Sequence, residues 1–132
     1  MTSVQGAVAM VLDDVLLAEG YVVKPFPWAP DAAEPGKKYI AVYRTGVEPA
    51  PNARGARRHD LNIVVMVGQQ DPAAADDALD VALERVLEVV ETDEQLKGLV
   101  WTRAERGVVD DTYPAMTIET WCGSTTEYGE QP

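Results

Sequence analysis

Residues 61–68, Leu-Asn-Ile-Val-Val-Met-Val-Gly, are apolar at almost every position. Leu61, Ile63, Val65 and Val67 form one aliphatic face of a strand, while Val64 and Met66 make the opposite face too apolar for solvent. A strand of this kind needs cover on both sides. Two helices are evident. The first spans 3–19, with Val4, Val8, Val11, Leu12 and Val15 at helical spacing, Thr2 and Gln5 placed as a capping box, and Gly20 as a stop. The second begins at Asp71 and Pro72, an N-cap followed by a first-turn proline, and runs to Glu91 with Leu79, Leu83, Val86, Leu87 and Val90 as its buried stripe. Two helices can cover one face of a sheet, so the other face, or part of it, is expected to meet another subunit.

Around these elements the pattern predicts shorter strands. Lys38 to Thr45 alternates Ile40 and Val42 with Tyr39 and Tyr43, and 99–106 and 112–122 read as a hairpin around 107–111. Tyr21-Val22-Val23 has strand character, but Pro25, Pro27, Pro30 and Pro35 deny backbone donors and make 25–35 a structured loop at best. Residues 46–58 lack a period, contain two prolines and read as a long flexible loop, and the polar tail 123–132 reads as frayed. The expected fold class is α+β: an antiparallel sheet of four to five strands with two helices packed on one face, in a single domain over 1–132.

Charge narrows the function. The chain has 22 acidic and 11 basic side chains, a formal net charge of -11, which disfavours tight nucleic-acid binding. Its one cysteine, Cys122, leaves no internal disulfide, so nothing in the chain demands an oxidising compartment and a cytosolic origin is expected. The apolar runs are too short and too interrupted for a signal peptide or a membrane span.

Catalytic chemistry is sparse. His59, the only histidine, sits beside Asp60 where loop meets strand and reads as a partly exposed strand-end residue. Cys122 reads as an inert packed thiol, with His59 the one imidazole that could activate it. No histidine or cysteine spacing suits zinc, Asp76, Asp77 and Asp80 lack the glycine and closing glutamate of a calcium loop, and 52–58 is not a phosphate loop. The expectation is a protein that is not an enzyme, with no cofactor, metal or catalytic residue. A carboxylate hydrolase using Asp76, Asp77 and Asp80, or a small ligand-binding domain, is the distant alternative.

Two charged features point to association. Between 71 and 94 nine carboxylates face one arginine, Arg85, a net of -8, and Asp77, Asp80, Glu84 and Glu88 fall three or four residues apart along the helix. Arg54, Arg57 and Arg58 lie on the 46–58 loop and complement that ridge, so the loop of one subunit is expected against the second helix of the next. Tyr39, Tyr43, Trp101 and Trp121 on the strands supply the large side chains that an interface core uses.

Taken in order, the chain is helix, strand, long polar loop, strand, acidic helix, strand, strand. The 61–67 strand running into Asp76-Asp77-Ala78-Leu79, the loop before it and the closing strand 113–118 make it resemble the tail terminator proteins of long, noncontractile-tailed bacteriophages. The resemblance implies a homo-hexameric ring that caps the completed tail tube, ends its polymerisation and presents a surface for head-tail joining. It implies as partners further copies of the chain, the tail-tube protein and the head-tail connector, with DNA only passing through the lumen and no membrane. The protein would then reside in the virion, at the head-proximal end of the tail, after synthesis in the host cytoplasm. A tail-completion or head-closure adaptor of the neck has the same architecture and is the nearer alternative.

Overall fold

Ser3 opens the first helix, its Oγ accepting the Gly6 N–H at 3.0 Å, and α1 (Val4–Leu16) continues into a 3-10 turn that Gly20 ends at φ +86°. The N-cap is therefore Ser3 and not the Thr2 of a capping box. Gln5 is used elsewhere: its Nε2 donates to Pro25 O and its Oε1 accepts the Arg44 N–H, both at 2.7 Å. This computed structural model describes residues 3–30, 34, 36–50, 54–68, 71–110 and 113–125, with side chains to 124. Thr2 and 126–132 lie outside the described residues.

Five strands form one sheet in the order β1-β2-β3-β5-β4: β1 (Tyr21–Lys24), β2 (Lys38–Pro49), β3 (Ala56–Val67), β4 (Val100–Val109) and β5 (Tyr113–Thr125). The class is α+β, with the sheet mixed, because β1 pairs parallel to β2 while the other three pairings are antiparallel. Tyr21 to Val23 thus begins a true edge strand. Its short length suits the prolines that follow, since an edge needs donors on one side only.

The 46–58 segment departs most from expectation. Rather than a flexible loop, 46–49 and 56–58 are the distal ends of β2 and β3, with Gly46 opposite Asp60, Val47 opposite His59 and Pro49 opposite Arg57, while 51–53 lie outside the described residues. Ala50 N–H donates to Ala56 O at 2.9 Å across its end, and Gly55 holds φ +81°. Absence of hydrophobic period hid these strands, because the helices do not cover this end of the sheet and alternation brings no burial there. β5 follows it, pairing Ala56 with Thr125, so 123–125 belong to the strand and not to a frayed tail.

α2 (Pro72–Thr92) is capped by Asp71, whose Oδ2 accepts the Ala74 N–H at 2.9 Å. It packs with α1 on one face of the sheet, where Leu12, Leu16, Ile40, Val42, Leu61, Ile63, Val65, Leu79, Val86 and Ile118 make the main core. The opposite face is half covered by the chain itself. Trp28 and Ala29 of the proline-rich segment lie over Tyr39, Ala41, Val64, Met66 and Ala115, and Met66 is fully buried. No second subunit is needed to bury Val64 and Met66, contrary to the expectation from two helices alone. An aromatic brace holds this strap: the Trp28 and Tyr39 rings meet edge to face at 5.8 Å, the Tyr39 hydroxyl accepts the Glu34 N–H at 2.9 Å, and the Tyr113 hydroxyl donates to Pro30 O at 2.8 Å.

Gly68 marks where the strap returns to the sheet. A Cβ there would run into the Glu34 backbone, which has no rotamer with which to move aside. Gly68→Ala is expected to destabilise the protein by about 1–3 kcal/mol through overpacking and to loosen the strap. Thermal melting checks this, and an unchanged melting point would mean that the strap does not hold its position on the sheet.

Candidate interaction surfaces

The distal hairpin forms an arm. Arg54 and Arg57 on it are exposed, and among the described residues neither forms a salt bridge. Arg58 is engaged within its own chain: its guanidinium lies 4.8 Å from the Trp121 ring centroid, and its Nε contacts Asp60 Oδ1 at 3.1 Å and Glu48 Oε1 at 3.9 Å. Half of each of these side chains remains in water, so the ion pairs add little stability and mainly orient Arg58 over the indole. Trp121 is thereby half-buried on the sheet face that the helices do not cover.

The arm's root, on the helix-covered face, holds a polar cluster. His59 lies directly opposite Cys122 in the β3–β5 register and is buried, 4% exposed, rather than a partly exposed strand end. Its Nε2 is 2.6 Å from Ser124 Oγ, and Arg44 Nη1 stands 3.4 Å from its Nδ1. A guanidinium can only donate, which makes Nδ1 the acceptor and puts the proton of the neutral ring on Nε2. Nε2–H then donates to Ser124, so the ring is turned the wrong way to take a proton from that hydroxyl. Burial, then the charges of Arg44 and Arg57, hold the His59 pKa below its ordinary value, with Asp60 opposing. Burial likewise pushes up the thiol of half-buried Cys122.

The acidic ridge on α2 is less bare than its sequence suggests. Arg85 binds both carboxylate oxygens of Glu19 at 2.9 and 2.8 Å and Glu88 at 2.8 Å, tying α1's end to α2. The Arg85 hydrogen bonds lower the Glu19 pKa and raise that of the guanidinium. Arg106 of β4 contacts Asp76 at 2.7 Å and Asp80 at 3.7 Å, and Trp101 Nε1 donates to Glu91 at 2.9 Å. Asp80 and Glu88 therefore have partners in their own chain. Asp77 and Glu84 are exposed and form no salt bridge among the described residues. The Asp76–Asp80 pair is clamped by a cation, and among the described residues no three His, Cys, Asp or Glu side chains gather as metal ligands.

Sequence reasoning grouped Tyr39, Tyr43, Trp101 and Trp121 as interface candidates, and the fold separates them. Tyr39 is buried under the strap and Trp101 faces α2, whereas Tyr43 and Trp121 stay half-buried on the opposite face. Tyr43 also lines a groove that no sequence pattern announced. Strap residues Pro27, Trp28 and Ala29 form one wall, Ala41 and Val64 the floor, and Val109 and Asp110 the far rim, enclosing about 380 Å³. Its walls come from four separate stretches of chain, so only the composition of each was visible beforehand.

Among the described residues, no helix is long and apolar enough to cross a membrane. No protein-family model matches the chain, and no curated protein matches it either.

The His59 cluster has a pH signature. With the folded pKa below the ordinary 6.5, the unfolded chain takes up the proton first as pH falls, so stability is complete above about 6.5 and declines below it until the folded ring also titrates. Glu19, lowered from 4.5, acts in a separate and more acid window. Urea midpoints at several pH values between 7.5 and 5 are expected to fall with acid in the native protein and to stay flatter in His59→Gln. Equal slopes would show that His59 is not the group responsible.

Proposed function

We propose that this chain is a structural ring-forming protein that caps a phage tail tube, ends its polymerisation and presents a surface for head-tail joining. The observation that carries the ring is a separation of charge on one subunit. Arg54 and Arg57 stand exposed on the arm at one end of the sheet, while the 71–94 segment on the helical layer has a net charge of -8. Unlike patches on one subunit meet in a heterologous contact, which closes into a ring when the rotation between neighbours allows it. The order of elements, with an acidic helix between the second and third long strands, supports the tail-terminator form of this reading.

Apolar burial supplies most of the attraction and charge gives it direction. Exposed ion pairs contribute about 0.2–1 kcal/mol each, too little to hold a ring but enough to choose one neighbour geometry over another. The half-open sheet face, with Tyr43 and Trp121 partly accessible, is the apolar surface that such a contact would cover. Carboxylates turned toward a lumen would repel DNA phosphates and keep the passage free of adhesion.

Light scattering over a concentration series is expected to show a rise from monomer to a single closed species, or ring formation when tail tubes are supplied. The double variant Arg54→Glu/Arg57→Glu leaves Arg58 on Trp121, should remain folded, and should raise the assembly concentration roughly tenfold at low salt, with the difference shrinking as salt rises. A twofold dimer whose mass ignores both concentration and added tubes would sink the ring, because such a dimer uses one patch against itself.

A further inference from the structure

A bulge sets what the arm shows on its helix side. Arg44 stands opposite Leu61, the ladder shifts after it, and Val47 comes opposite His59 and Pro49 opposite Arg57. Residues directly opposite in an antiparallel pair point to the same side, so Arg44, Val47 and Arg57 share the face of Leu61 and His59. All three are exposed, Val47 by 47%. Arg44 gives one N–H to His59 Nδ1 at 3.4 Å, and neither it nor Arg57 forms a salt bridge among the described residues.

The outer face of α2 repeats this arrangement with the opposite sign. Asp77, Val81 and Glu84 fall four and three residues apart, which puts them on one helical stripe. All three are exposed, Val81 by 67%, and neither carboxylate forms a salt bridge among the described residues.

We infer that the Arg44, Val47 and Arg57 face of one copy docks on the Asp77, Val81 and Glu84 stripe of a second copy, valine against valine with an ion pair on either side. This rests on the ring reading above and names the two surfaces that it joins. The spacings match. Four ladder positions at ~3.3 Å put Arg44 and Arg57 about 13 Å apart along the sheet, and seven residues at ~1.5 Å put Asp77 and Glu84 about 10.5 Å apart along the helix, a difference that two arginine side chains span. One chain cannot make this contact with itself. Arg106, which holds Asp76 and Asp80, lies opposite Met116, and Met116 lies opposite Val65, eight positions or about 26 Å from Arg57 along β3. Complementary patches kept this far apart on one sheet meet only between copies. Nucleic acid would satisfy the arginines but not the valine, and the net charge of -11 opposes it.

Cross-linking reads the contact directly. In a Cys122→Ser background, one chain carrying Val47→Cys is mixed with a second carrying Val81→Cys on α2 or Met10→Cys on α1, another exposed apolar site. Oxidation at the assembly concentration is expected to trap the 47–81 pair and not the 47–10 pair. Charge exchange checks the flanks: Arg44→Glu/Arg57→Glu and, separately, Asp77→Lys/Glu84→Lys should each raise the assembly concentration at least about tenfold, and all four in one chain should recover most of that loss. Should Arg44→Glu unfold the arm's root, the cross-link, which keeps both arginines, decides alone. Rings that form without the 47–81 link, or folded reversals whose combination does not restore assembly, would overturn this docking and leave the ring reading standing. Failure to exceed monomer mass at any concentration or with tail tubes would overturn both.

Discussion

Strand β3 has apolar side chains on both faces and a hydrogen-bonded neighbour on each edge, and the protein is arranged around covering it. Leu61, Ile63, Val65 and Val67 turn to α1 and α2, Val64 and Met66 turn to the strap, and all six are buried. Each such aliphatic side chain contributes about 1.5–3 kcal/mol when withdrawn from water, so a fold that left either face bare would forfeit several kcal/mol. Helices alone cannot supply the second cover. The proline-rich segment does so at little entropic cost, because prolines already restrict the unfolded chain.

The strap ends before the sheet does, and this mismatch creates the surfaces of interest. Beyond Trp28 and Ala29 the groove opens, and beyond the helices the arm continues with β5 beside it. The open strand edges are poorly suited to pairing with another chain. β4 carries Arg103, Glu105 and Arg106 and a bulge near Trp101, and β2 has a bulge after Arg44, a backbone donor occupied by Gln5, and a terminal proline. These are the features that discourage edge-to-edge association, which leaves the faces and ends of the sheet for assembly.

Electrostatics follows the same division between what is satisfied internally and what is left over. Arg85 and Arg106 each bridge two carboxylates and relieve the like-charge spacing along α2, while Arg58 is held by Trp121, Asp60 and Glu48. Arg54 and Arg57 project from the arm outside these arrangements. His59 is fixed as a neutral donor by a guanidinium on its other nitrogen, a structural role that stiffens the arm's root.

The sequence by itself determined both helices, their caps at Asp71 and Gly20, the long strands and the α+β class, because periods of 3.6 and 2 and local capping chemistry depend on near neighbours alone. It also located the acidic helix and the basic segment. Only the tertiary structure decided that 46–49 and 56–58 are paired strand ends, that Tyr21 begins a parallel edge strand, that the strap buries Met66, and that His59 faces Ser124. Each of these depends on contacts between residues far apart in the chain. A strand end without a buried face has no periodicity to betray it, and a groove walled by four segments has no local signal. The same holds for the ridge: its carboxylates were countable, but which of them Arg106 would reach depended on β4 crossing beside α2.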